Sequence, residues 1–210
     1  MKITLNEYKA NPCGTLSIPY WKNKNITIPS CIKIVHDADF DSSYLKDYDD
    51  ELYFRLIHNL ENIENVVPDW IYFKTAEKKD FSLIVSIINN SYTDLSVDIV
   101  QIKSYAKTVV YDKNLWIIVY DKQSDMPIGC GIADFDNEVK EGILEWIQVL
   151  PEYRGRKVGK AIVNELLCRL KDKAEFVTVS GKVNNVTNPE KLYRACGFTG
   201  NDIWHILNQK

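Results

Sequence analysis

Residues 142–181 constrain this chain more than any other stretch. Ile143-Leu144-Glu145-Trp146-Ile147-Gln148-Val149 is an apolar strand pattern within an expected strand over 142–149, and Pro151 lies just beyond it. A short basic turn follows. The apolar period then changes: Val158, Ile162, Val163, Leu166, Leu167 and Leu170 fill one arc of a helix over 156–171. Lys157, Lys160, Asn164 and Lys171 fall on the opposite side. A further strand is expected over 176–181. Strands joined to an amphipathic helix that must bury its apolar arc point to a layered, mixed α/β domain.

The turn between strand and helix, Val149-Leu150-Pro151-Glu152-Tyr153-Arg154-Gly155-Arg156-Lys157-Val158-Gly159-Lys160, has its own chemistry. Backbone N–H groups at a helix start lack intrahelical acceptors and lie at the positive end of the macrodipole, so they favour a phosphate. Glycine lets an anion approach the backbone closely. Arg154, Arg156, Lys157 and Lys160 add positive charge at the same end. Two readings stand at this point, a phosphate cradle and a merely solvated basic turn. The stretch is neither a Walker loop nor a G-x-G-x-x-G fingerprint.

The rest of the chain is read more coarsely. Residues 11–21 mix turn-formers with aromatics, which suggests turns and short strands. Residues 32–35 make a plausible strand. A helix is expected from Asp49 or Asp50 to about Asn65, with Tyr53, Leu56, Ile57, Leu60 and Ile63 on one face, stopped by Pro68. From Asp69 the pattern is regular: a strand over 70–73, a helix carrying Phe81, Ile84, Val85 and Ile88, and a helix over 96–110 with Ile99, Ile102, Ala106 and Val109 inward. Strands at 115–120 and 128–135 precede the central unit. A short helix over 189–196 and a strand near 203–207 close the chain. The expected division is an N-terminal extension, 1–68, and a domain over 69–210.

At the turn the chain resembles the GNAT acetyltransferases. Their coenzyme A signature, Arg or Gln followed by x-x-Gly-x-Gly or Ala, is similar to Arg154-Gly155-Arg156-Lys157-Val158-Gly159, and Val149-Leu150-Pro151-Glu152-Tyr153 looks like their V-x-P-E-Y lead-in. Lys157 stands where the first signature glycine is usual; a lysine is tolerated there if it keeps helical dihedrals. A register shifted by two residues, Arg156-x-x-Gly159-x-Ala161, also fits. The segment from Asn188 to Phe198 resembles the family's closing N…L-Y-x-x-x-G-F element, with Asn188 as N-cap, Pro189 at the first helical position and Gly197 as terminator.

The resemblance covers residues 69–210 and implies a mostly antiparallel, twisted mixed sheet flanked by helices. It implies acetyl-CoA as co-substrate and an amine acceptor. In it Tyr193 protonates the leaving thiolate, although a half-buried packing tyrosine is the plainer reading. Ile147 and Val149 bind the pantetheine through their backbones, and the Val149 N–H polarises the thioester. Strand alternation sets Glu145 on the face of Ile147 and Val149, a candidate general base or else an ion-paired strand-end glutamate. Asn184, Asn185 and Asn188 are candidates for an arm contact and Arg194 for the 3′-phosphate. The coenzyme set is thus Ile147, Val149, Arg154, Gly155, Arg156, Lys157, Val158, Gly159, Lys160, Asn185, Asn188 and Arg194.

Composition narrows the alternatives. With 26 basic and 29 acidic side chains and a net charge of −3, a dedicated nucleic-acid module is disfavoured. No apolar run approaches the ~20 residues of a membrane span, and no signal-peptide core follows Lys2, so a cytoplasmic location is expected. The five cysteines are scattered, without metal spacing, and read as free thiols; no metal is expected. His36, His58 and His205 read as isolated surface or packing residues. The aromatics of 1–67 either complete a core or wall an acceptor pocket. Two functions remain: an N-acetyltransferase acting by direct attack on a primary amine, and a non-catalytic acyl-CoA sensor with a partner-binding N-terminal segment. The oligomeric state is open, a homodimer included.

Overall fold

The computed structural model describes residues 3–64, 66–91 and 95–210, which form two compact units. One comprises Met1–Asn59 with Thr178–Lys210, the other Leu60–Val177.

The first unit opens with three short helices, α1 (Leu5–Ala10), α2 (Pro12–Thr15) and α3 (Tyr20–Asn25). Turns and short strands were expected in this region, but its turn-formers serve as caps. Thr4 and Glu7 close a reciprocal capping box, and the Asn11 side chain accepts from the Gly14 N–H at 3.0 Å, with Pro12 at the first helical position. Strands β1 (Ile32–His36) and β2 (Tyr48–His58) both run antiparallel to the last strand, β8 (Thr199–Gln209), which lies between them.

The helix expected from Asp49 or Asp50 is therefore strand β2; its stated end, Asn65, lies outside the described residues. The stripe Tyr53, Leu56, Ile57 fits a helix in spacing. The run is nonetheless rich in aromatic and branched residues suited to a pleated surface, and β8 offers a partner along nearly its whole length. Phe54, Arg55, Leu56 and His58 are all buried, as befits a strand covered on both faces. Arg55 is tied down by Tyr8 Oη, Thr178 Oγ1, Ser180 Oγ and the Pro12 carbonyl, which accept from its guanidinium. Strand β7 (Phe176–Lys182) begins in the second unit and ends in the first, where it neighbours β2.

In the second unit β3 (Ile71–Thr75), β4 (Trp116–Asp121), β5 (Pro127–Asp136) and β6 (Glu141–Val149) pair antiparallel in that order. Their alternation builds two faces. Trp116, Ile118, Cys130 and Ile132 pack with Ile84, Ile87 and Ile88 of α4 (Phe81–Ser91) and Ile102 of α5 (Ile99–Tyr105). Gly129 and Gly131 face α6 (Val158–Leu170) so closely that a Cβ at Gly131 would lie 2.5 Å from Ile162 Cγ2. All six apolar residues expected along α6 are buried. Asn164, expected on the polar side, is buried too, its amide donating to the Glu64 carbonyl.

Helix α5 is shorter than 96–110. Asp98 and Gln101 form its capping box, and after Tyr105 the chain turns away, with Thr108 Oγ1 closing on the Tyr105 carbonyl. Val109, expected inward, is 89% exposed, and Val110 takes the buried place instead. Together the strands and helices make a mixed α/β fold with a mostly antiparallel sheet flanked by helices, as expected.

Candidate functional site

The residues singled out from sequence divide between the two units. In the second, the end of β6 runs into a tight turn over Pro151–Tyr153, closed by Tyr153 and Arg154 N–H groups on the Leu150 and Pro151 carbonyls. Arg154 then spends its guanidinium on backbone carbonyls. It donates to Ser91 at 2.6 Å and to Val149 at 3.2 Å, joining the C-terminal end of α4, where a cation suits the dipole, to the end of β6.

Gly155 has φ +75° and Lys157 φ +64°, ψ 10°. Lys157 is thus left-handed, not helical as its tolerance was expected to require. It precedes α6 as the N-cap, and no side chain caps the helix there. Left-handed residues at 155 and 157 curl the main chain into a concave turn of the kind whose N–H groups gather an anion. At the position where the signature glycine is usual, a lysine here adopts left-handed angles.

Val158 is buried, while Gly159 and Lys160 are partly so. Lys160 Nζ pairs with Glu64 at 2.7 Å, which holds the exposed Glu64 carboxyl below its usual range. Arg156 reaches the Trp70 ring, with 3.8 Å from its guanidinium carbon to the centroid.

Strand β6 carries a feature the sequence did not reveal. Ile132 pairs with Trp146 but Ala133 pairs with Leu144, so Glu145 has no opposite residue and forms a β-bulge. The alternation that grouped Glu145 with Ile147 and Val149 breaks at Glu145 itself. Ile147 and Val149 pair with Gly131 and Gly129, on the α6 side. Glu145 is half-buried, and bulges commonly re-aim such a side chain. Gln148 is buried opposite Cys130, a thiol that burial pushes up to about 12.

In the first unit α7 (Pro189–Arg194) has the expected punctuation. Asn188 caps it, accepting from the Lys191 N–H, Pro189 opens it, and Gly197 ends it at φ +93°. Tyr193 is buried, its ring 6.2 Å from Phe54 and 5.7 Å from Phe198 between centroids. Close approach by Gly181 shapes this corner, since a Cβ there would meet Phe54 at 2.5 Å. Asn185 accepts from the Thr187 N–H and hydroxyl, and Arg194 pairs with Glu190 and the Gly200 carbonyl. Asn184 is exposed.

The histidines are less isolated than their spacing implied. His205 is buried, its Nδ1 2.8 Å from Asp50 and its Nε2 3.2 Å from Asp37, with Phe40 stacked on the ring. No spacing rule joins positions 37, 40, 50 and 205; strand pairing does. All five cysteines are free, and three are buried. Among the described residues no helix is long and apolar enough to cross a membrane, and no group of His, Cys, Asp and Glu is arranged to hold a metal.

Comparison with known proteins bears on the fold. Residues 112–200 match the family model of the acetyltransferase (GNAT) domain. No curated protein matches the sequence. The structure is similar to a GCN5-related N-acetyltransferase from Sphaerobacter thermophilus, with a TM-score of 0.72 at 15% identity, over 85% of this chain and 58% of that one. This chain therefore spans little more than half of that protein. It is also similar to a GNAT-family acetyltransferase from Colwellia psychrerythraea, with a TM-score of 0.64 at 14% identity over 90% and 69% of the two chains. A chain of the NatC complex bound to Gag peptide and CoA matches with a TM-score of 0.54 at 18% identity, over 67% of this chain and 98% of that one. The family match thus covers residues 112–200, which include the turn, and the chain as a whole shares the fold of these GNAT structures.

Proposed function

We propose that the protein transfers an acetyl group from acetyl-CoA to a primary amine by direct attack. The observation that carries the reading is the turn before α6. It has left-handed backbone at Gly155 and Lys157, an N-terminus with no side-chain cap, and Arg156, Lys157 and Lys160 around it. This is a place for the coenzyme's diphosphate, with N–H groups of residues 155–160 as donors. Arg154 also holds the turn to α4 and β6, since its Nε and Nη2 donate to the Val149 and Ser91 carbonyls. Ile147 and Val149 carry the pantetheine along β6, and the Val149 N–H polarises the thioester carbonyl. In this reading Asn185 or Asn188 contacts the coenzyme arm and Arg194 its 3′-phosphate.

The amine nitrogen attacks the thioester carbon and the C–N bond forms. The C–S bond then breaks with its electron pair on sulfur, and the Tyr193 phenol protonates the thiolate. The proton lost from nitrogen passes to Glu145, directly or through water. The bulge at Glu145 supports that role, since it frees this side chain from strand alternation.

The test is turnover on a panel of primary amines, with coenzyme affinity measured alongside. Tyr193→Phe is expected to lose roughly 10²-fold or more in kcat, with acetyl-CoA affinity unchanged. A variant with wild-type kcat would remove Tyr193 from the chemistry. Wild-type protein that binds acetyl-CoA yet acetylates no amine would favour the sensor reading.

A further inference from the structure

The cations of the turn differ in what holds them. The Arg156 guanidinium carbon lies 3.8 Å from the Trp70 ring centroid and 5.5 Å from that of Tyr153, and the two rings are near-parallel at 17°, 6.3 Å apart. Different elements supply the rings. Tyr153 belongs to the tight turn after β6. Trp70 stands just before β3, fixed where its carbonyl accepts from the Lys122 N–H at 2.8 Å. Asp121 feels the Arg156 charge, but its Oδ1 is occupied by the Gln123 and Ser124 N–H groups and the Ser124 hydroxyl.

An arginine packed on aromatic rings uses the face of its guanidinium and leaves the N–H edge to bond an oxyanion. Holding the side chain in advance also lowers the rotamer entropy lost when a phosphate binds. We propose that Trp70 and Tyr153 hold Arg156 as a preset clamp for a phosphate at the nucleotide end of the coenzyme, so that Trp70 is a positioning residue for coenzyme affinity. The inference rests on the coenzyme reading above. It adds a residue outside the signature and a physical role for Arg156.

The experiment is calorimetric titration of CoA and of dephospho-CoA, which lacks the 3′-phosphate, into wild type, Trp70→Leu, Trp70→Phe, Arg156→Gln and Trp70→Leu/Arg156→Gln. Trp70→Leu is expected to weaken CoA roughly two- to fivefold, the range of an exposed cation–π contact. Trp70→Phe, which keeps a ring face, should retain most of the affinity. In the Arg156→Gln background the Trp70→Leu change should have no further effect. An effect seen with CoA and lost with dephospho-CoA assigns the clamp to the 3′-phosphate; an equal effect with both assigns it to the diphosphate. The clamp is overturned if Trp70→Leu binds like wild type, or if its loss is undiminished without Arg156. Wild type that binds neither ligand overturns the coenzyme reading, and the clamp falls with it.

Discussion

Lys157 occupies backbone angles that side chains other than Gly, Asn and Asp rarely take, at φ +64°. For an L-residue with a Cβ the left-handed well costs on the order of 1 kcal/mol. Lys157→Gly should therefore raise stability by about 0.5–1 kcal/mol, read as a higher urea midpoint, after allowing for glycine's greater freedom in the unfolded chain. Lys157→Val should lower it. The lysine is retained at a conformational cost beside the proposed diphosphate, which is how strain and function tend to coincide.

His58 couples stability to pH. It is buried beside Phe198, and a Cβ at Gly197 would lie 2.9 Å from its Nε2. Burial pushes its pKa down, against a smaller upward pull from its hydrogen bond with the Cys196 backbone. The unfolded chain therefore binds this proton at higher pH than the folded chain does. The His58 contribution is intact above about pH 6.5, diminishes as pH falls toward the lowered folded value, and levels off below it. Urea unfolding between pH 7.5 and 5.5 should show falling stability, and His58→Gln should flatten that slope. An unchanged slope would reassign it.

At the scale of elements, the contact between β5 and α6 rests on glycines. A methyl at Gly131 would come within 2.5 Å of Ile162 and 3.0 Å of Leu166, so Gly131→Ala should cost about 1–3 kcal/mol by overpacking, measured by chemical denaturation. Elements set by local period were legible: α4, α6, β4 to β7 and the capped α7 lie close to where the spacing put them. Elements set by partners were not. Strand β2 carries a stripe that fits a helix, and only pairing with β8 decides between them. The bulge at Glu145 was equally hidden, because it exists only in the register of β6 against β5.

Across the whole molecule, the strand–turn–helix unit over 142–170 was readable because it is local, a strand end, a tight turn and a helix start in one short stretch. The first unit was not. It joins the first 59 residues to the last strands, with Arg55 gathering Tyr8, the Pro12 carbonyl, Thr178 and Ser180, and His205 gathering Asp37 and Asp50. Such groupings follow from topology, and no motif announces them. The expected boundary at residue 68 rested on a change of texture along the chain, whereas the last strand, β8, lies between β1 and β2.

We propose that the turn over residues 154–160 binds the coenzyme diphosphate. Its most direct test is calorimetric titration of acetyl-CoA into wild type and an Arg156→Glu/Lys157→Glu variant, with the fold of the variant checked by its thermal transition. Micromolar-range binding is expected for wild type, weakened at least about tenfold in the folded variant, since two cations at the anion site become two like charges. Equal affinity in the two proteins, or no binding to either, would contradict it.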